Sequence, residues 1–145
     1  MMVSTKGRYA LMVLIDIAQH EEDGYIPLAD IAKRQGLSMK YLEMVVSMLN
    51  KGKLLSSQRG KNGGYKLVKS PEEYNINEIL EITEGSLSPV DCIEAGGVNC
   101  EKAASCMTLP LWIGLDRVIS DYLKKISLQD VLKMDVDKIV NAQFK

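Results

Sequence analysis

The stretch spanning residues 28–68 restricts the fold of this chain more than any other. Pro27-Leu-Ala-Asp-Ile-Ala-Lys-Arg-Gln-Gly36 carries proline at the start of a short helix and glycine just past its end. Ser38 is placed to cap a second helix, in which Leu42, Val45, Val46 and Leu49 recur at helical spacing and make one apolar face. Gly36-Leu37-Ser38 between them has the length of a helix-turn-helix connection. After Gly52, two β-prone pieces at 54–58 and 65–68 flank Arg59-Gly60-Lys61-Asn62-Gly63-Gly64, a hairpin tip in which the three glycines are expected to supply positive φ angles. The expected fold class is therefore mainly α with a small β-wing: a winged helix-turn-helix domain followed by a long dimerisation helix. Winged helices are commonly DNA readers.

Charge agrees once it is read locally. The whole chain has a net charge of −1. Up to residue 69, however, 11 Lys and Arg face 6 Asp and Glu, and beyond it 7 face 13. Between Lys33 and Lys69 stand nine basic residues and one acid, Glu43. A block of this kind can contact phosphates while the acidic remainder keeps the protein soluble.

On the second helix of the motif, Ser38, Met39, Lys40, Tyr41, Glu43 and Met44 lie at the start or off the apolar face, where such helices meet base edges in the major groove. Lys40 and Tyr41 suit phosphate or guanine. Glu43 is repelled by phosphate and fits only if it accepts a hydrogen bond, for example from cytosine N4, or pairs with Lys40 one turn away. On the wing, Arg59 can enter a narrow minor groove, with Lys61, Asn62 and Gly63 beside it. A glycine-rich loop can also cradle a nucleotide phosphate, but neither a Walker pattern nor a following helix accompanies this one. Near the N-terminus, Ser4 caps an expected helix running to about His20, with Ala10, Val13, Leu14, Ile17 and Ala18 inward. Lys6, Arg8 and Tyr9 could there reach a phosphate through side chains or helix N–H groups. His20, the sole histidine, is expected at the surface.

The second half divides further. Asn75 begins a helix that ends at Gly85. Residues 86–107 show neither helical nor strand period and hold all three cysteines, Cys92, Cys100 and Cys106. An odd number crowded into one loop is no disulfide framework and points to a metal or redox site. A structural zinc site would want four ligands, and a pair of these thiols could instead form an oxidant-sensing disulfide. Residues 111–126 form a strong helix whose stripe, Leu111, Trp112, Leu115, Val118, Ile119, Tyr122 and Ile126, is wide enough for a homodimer contact. Ser127 and Asp130 open a last short helix, and the polar tail beyond is expected to be mobile. The division expected is 1–85 for DNA, 86–108 for the cysteine loop and 109–145 for dimerisation and tail.

Several classes drop out. No apolar run approaches the roughly 18 residues of a membrane span. Lys6 and Arg8 precede an apolar run, but Asp16 interrupts it and no cleavage site follows, so a cytoplasmic location is expected. With a solitary histidine and no paired-carboxylate cleft, an enzyme is not expected. A small electron carrier would have no use for a basic winged helix.

Ser4-Thr-Lys-Gly-Arg-Tyr-Ala10, Pro27-Leu-Ala-Asp-Ile31, Tyr41-Leu-Glu43, Arg59-Gly60 with Gly63-Gly-Tyr65, and the segment 106–112 occur in the order seen in a known group. Over about residues 2–132 the chain resembles the winged-helix repressor family that includes IscR, NsrR and CymR. The resemblance implies a homodimer on palindromic double-stranded DNA and an iron–sulfur cluster on Cys92, Cys100 and Cys106, 2Fe–2S in preference to 4Fe–4S. It also implies a cysteine-metabolism repressor without a cluster as the alternative. The family's fourth ligands do not carry over: Leu109 stands where a histidine follows the third cysteine, and Arg8 where an acid comes from the partner's first helix. A cluster would then need another group, such as Asp91, Glu94 or Glu101, a residue of the partner, or an exogenous ligand.

Overall fold

The structure is a computed structural model that describes residues 3–94 and 97–134 of the 145, with only the backbone of Glu94. Helix α1 (Thr5–Gln19) begins at Ser4, whose hydroxyl accepts the Gly7 N–H, and it buries Ala10, Val13, Leu14 and Ile17. Ala18 is only half-buried against the same core. Ile26 and Pro27 lead into α2 (Leu28–Gln35), and Gly36 closes that helix in the left-handed region, φ 65°. A β-carbon is costly in this conformation, which is why glycine sits in the turn. Ser38 then caps α3 (Met39–Lys51) by accepting the Tyr41 N–H at 3.3 Å. The expected face of α3 is the buried one: Leu42, Val45, Val46 and Leu49 are at most 1% exposed.

The wing is β1 (Leu55–Gln58) against β2 (Gly64–Leu67), antiparallel, with Leu55 opposite Leu67 and Gln58 opposite Gly64. It carries two supports that periodicity does not announce. Ile26 and Tyr65 exchange both backbone hydrogen bonds, at 2.8 and 2.9 Å, so the chain before α2 forms a third rung. Tyr74 is wholly buried; its hydroxyl donates to the Leu54 carbonyl at 2.7 Å and accepts the Val68 N–H at 3.0 Å. Two orphan backbone groups at the wing's base are thereby satisfied. Burial pushes the Tyr74 phenol up, against the hydrogen bonds from Val68 and Lys69.

Asn75 caps α4 (Ile76–Glu84), which adds Ile76, Ile79 and Leu80 to the core. The segment that follows was expected to lack period, but it contains a miniature hairpin, β3 (Ile93–Glu94) with β4 (Gly97–Val98), anchored by buried Ile93. Then come α5 (Leu109–Lys125) and α6 (Leu128–Leu132). Ser127 and Asp130 form the expected capping box. The expected mobile tail lies, from residue 135 on, outside the described residues.

The wide stripe of α5 splits in two. Leu111, Leu115, Val118 and Tyr122, one row at spacings of four, three and four, are 62, 40, 65 and 59% exposed. Trp112 and Ile119 are half-buried, and Leu123 packs against the domain's own core. Ile126 leaves the stripe altogether: it lies past the helix in extended conformation, packs on that core, and accepts the Ile76 N–H at 2.9 Å. Leu128, fully buried, follows it inward and donates its N–H to the Tyr74 carbonyl. The chain thus returns from α5 to the first domain, since two apolar residues gain more inside that core than in water.

Candidate DNA interface and cysteine segment

Burial of one face of α3 leaves Met39, Lys40, Glu43, Met44 and Ser47 exposed together. Ser38 spends its hydroxyl on the cap. Glu43 makes no ion pair with Lys40, so the local pairing considered for it is not formed, and the residue is exposed on the outer face. Tyr41 is half-buried and meets Tyr9 of α1 edge to face, centroids 5.1 Å apart and planes at 80°. This contact ties the start of the recognition helix to α1.

A second tie is polar and buried. Asp16, 1% exposed on the apolar face of α1, accepts from Arg34 Nη2 at 2.6 Å and Nε at 3.0 Å and from Gln35 Nε2 at 2.8 Å. Burial alone would push this carboxyl up, but the hydrogen bonds of Arg34 and Gln35, with the charges of Arg34 and His20, hold it below its ordinary value. Arg34, hydrogen-bonded to Asp16, is pushed up in return. The last turn of α2 is thereby clamped to α1, which fixes the angle at which the turn presents α3. His20, expected at the surface, is half-buried, with Nδ1 2.7 Å from the Asp16 carbonyl and 3.8 Å from its carboxylate. An acid at 16, three and four residues from Val13 and His20 on the inward face, was the available signal for the cluster.

At the start of α1 the expected helix N–H contact meets an obstacle. The Glu84 carboxylate accepts both the N–H and the hydroxyl of Ser4, at 3.1 and 2.6 Å. A carboxylate already occupies the end that would attract a phosphate. Side chains remain: Arg8 is exposed, donating to Thr5 Oγ1 at 3.1 Å, and Lys6 is half-buried. On the wing, Arg59, Lys61 and Asn62 are exposed at the tip. The glycine expectation needs a correction. Gly60 and Gly64 have positive φ, 104° and 149°, whereas Gly63 does not. Gly63 is buried under the turn, donating to the Gly60 carbonyl, and a β-carbon there would strike the Gln58 carbonyl. Its backbone shapes the tip from beneath.

The three cysteines are unbridged; Cys92 and Cys106 are half-buried and Cys100 is exposed. The small hairpin joins the first two arms, because Asn99 donates to the Cys92 carbonyl at 2.7 Å and Cys100 follows directly. Cys106 stands at the foot of α5. The Thr108 hydroxyl, 3.4 Å from Sγ, and the N–H groups of Thr108 and Leu109 hold this thiol below its ordinary pKa. A thiol so placed favours the thiolate that soft metals and clusters require. As donors the three fit such a group. Their arms do not converge in the structure, where no set of three His, Cys, Asp or Glu among the described residues is close enough to hold an ion. Asp91 and Glu101 are exposed and Leu109 is half-buried in the first turn of α5.

A helix-turn-helix clamped to α1, a free outer face on its second helix and a basic wing define a winged-helix DNA-binding transcriptional regulator. The chain belongs to the Rrf2 family, whose model, described as an iron-dependent transcriptional regulator, matches residues 3–134. It is 38% identical over 132 residues to the HTH-type transcriptional regulator IscR of Aliivibrio salmonicida, covering 91% of this chain and 77% of that one. Among solved structures it resembles CymR, the global cysteine regulator of B. subtilis (34% identity, TM-score 0.76, 93% of this chain and 99% of that one). It also resembles T. potens IscR (34% identity, TM-score 0.72, 99% and 91%). These relatives are named as regulators, and no helix among the described residues is long and apolar enough to cross a membrane.

Proposed function

We propose that this chain is a cytoplasmic homodimer that binds a palindromic operator and whose affinity is modulated by an iron–sulfur cluster on Cys92, Cys100 and Cys106. The observation that carries the reading is the position of three free thiols, one thiolate-favouring, on the segment joining the winged domain to the exposed row of α5. The relatives named IscR and the family's iron-dependent description support it. Residues 1–85 would contact DNA through Lys40, Glu43, Met44 and Arg59, residues 86–108 would hold the cluster, and 109–125 would pair two copies. A cluster bound there supplies bonds that hold the three arms together, and a 2Fe–2S centre is preferred to 4Fe–4S by similarity to IscR. The genes controlled would serve iron–sulfur cluster assembly or related sulfur and redox chemistry.

Dimerisation has its own physical basis. Leu111, Leu115, Val118 and Tyr122 form a row that the chain's own domain leaves uncovered, and an antiparallel copy of the same row would bury it. Two recognition helices rigidly linked in this way can meet half-sites about 34–36 Å apart.

Anaerobic purification with visible absorption and iron and sulfide analysis tests the cluster. A coloured protein with iron and sulfide in equal amounts is expected; a colourless chain free of iron would end the reading. Cys106 favours one second reading, a thiol switch without metal, and the likeness to the oxidised form of Staphylococcus aureus CymR (31% identity, TM-score 0.73) points the same way. Peroxide oxidation of the metal-free protein, followed by mass spectrometry, distinguishes it: a disulfide or sulfenic acid at Cys106 that alters operator binding is its signature.

A further inference from the structure

The face of α5 turned away from the exposed row meets α4 across an open cleft of about 300 Å³, lined by Asn77 and Glu81 of α4, Ser86, and Asp116, Ile119 and Lys124 of α5. At 3.6 residues per turn, Asp116 and Lys124 point well away from Leu111, Leu115, Val118 and Tyr122.

Two features leave polar capacity along the cleft. Asn77 is 4% exposed as a whole residue, and its side-chain amide makes no hydrogen bond to the described residues. Among the described residues no fully enclosed polar side-chain atom lacks a partner, so the polar atoms of this amide are reached by solvent, and Asn77 lines the cleft. In addition, Glu81, Asp116 and Lys124 have no ion-pair partner among the described residues, where the pairs are Asp16–Arg34, Asp16–His20 and Lys69–Glu78. Charges of both signs thus line one small space around an unpaired amide, with Ile119 as an apolar wall.

We propose that this cleft is an effector site for a free α-amino acid. The ammonium goes to Glu81 and Asp116, the carboxylate to Lys124, and the Asn77 amide takes a remaining polar atom. A phosphate or sulfate ester would face two carboxylates with one lysine to offset them, and a simple amine would leave Lys124 unpaired and repelling. The volume lies at the lower end of ligand sites, roughly 300–1,000 Å³, which suits a molecule of amino-acid size. The site straddles the joint between the DNA-reading domain and α5, so an occupant that bridges the two helices favours one angle between them.

The test uses the full chain, titrated calorimetrically and by thermal shift with each proteinogenic amino acid, and with ethylamine and acetate as half-ligands. At least one amino acid is expected to bind saturably, one per chain, and to raise the melting temperature. Lys124→Ala and Asp116→Asn, each checked for an unchanged circular dichroism spectrum, are expected to weaken that binding at least about tenfold, the loss of one charge-assisted contact. Failure of every amino acid to bind the wild type would overturn the proposal. So would affinity retained in both variants, or ethylamine binding as tightly as the amino acid.

Discussion

The winged domain and α5 handle their apolar residues in opposite ways. In the first, α1 to α4 enclose a shared core in which Leu14, Ile17, Leu42 and Leu49 are wholly buried, and even Ile126 and Leu128 are drawn back into it from beyond α5. In the second, a helix of 17 residues has no buried residue, and four large apolar side chains along one row face outward. The same pattern of leucines, valines and isoleucines is satisfied within the chain in one region and left uncovered by it in the other. Helical periodicity shows that a face will be buried; the space already filled beneath it determines by what.

The largest expected effect tests the open side of this contrast. Leu115→Asp places a charge in the exposed row and should yield monomers in size-exclusion chromatography, with operator affinity falling to the non-specific level, on the order of a thousandfold or more. A persisting dimer would relocate the interface. Leu49→Ala tests the closed side: a fully buried leucine is removed, and urea unfolding should show a loss of about 2–5 kcal/mol. Val118→Ala, at 65% exposure, should cost the unassembled chain no more than about 0.5 kcal/mol. Equal costs at the two positions would erase the distinction.

Asp16→Asn sharpens the account of how the closed domain is held, with an expected loss of about 1–3 kcal/mol as the bonds from Arg34 and Gln35 weaken. The folded carboxyl is depressed, so its contribution is complete above the unfolded value near pH 4 and is lost as pH falls through the folded one. Wild type should therefore lose part of its advantage over the variant on acidification below about pH 4. An advantage that grows on acidification would contradict the cause given for the shift. On the wing the expected effect falls on DNA binding alone. Arg59→Ala should leave stability unchanged and weaken operator binding about tenfold, and the slope of log affinity on log salt should become shallower by under ~2 for a dimer losing two phosphate contacts. Unchanged slope and affinity would place the tip off the DNA.

Much of the closed domain was legible in the chain because its signals are local. Ser4, Ser38, Asn75 and Ser127 cap the helices at which they stand, and the face 42, 45, 46, 49 is the one buried. Each depends on residues within one or two turns of each other. The candidate site was legible to the same depth: Lys40, Glu43 and Arg59 are exposed on the elements where their spacing put them. Less legible was whatever depends on partners far apart in sequence. The Asp16 clamp spans 18 residues to Arg34, the wing's third rung joins Ile26 to Tyr65, and Glu84 blocks the start of α1 from 80 residues away.

The sequence by itself determined the order of the elements, their caps and which side of each helix is apolar, because those follow from side-chain chemistry repeated at the backbone's own period. Only the tertiary structure decided which apolar face finds a partner within the chain. It turned Ile126 inward while leaving Val118 in water, sank Gly63 beneath the turn it was expected to open, and left the Asn77 amide facing a cleft. Close packing lets one core hold only so many side chains, and which of them enter depends on the meeting of distant segments, not on any period along the chain.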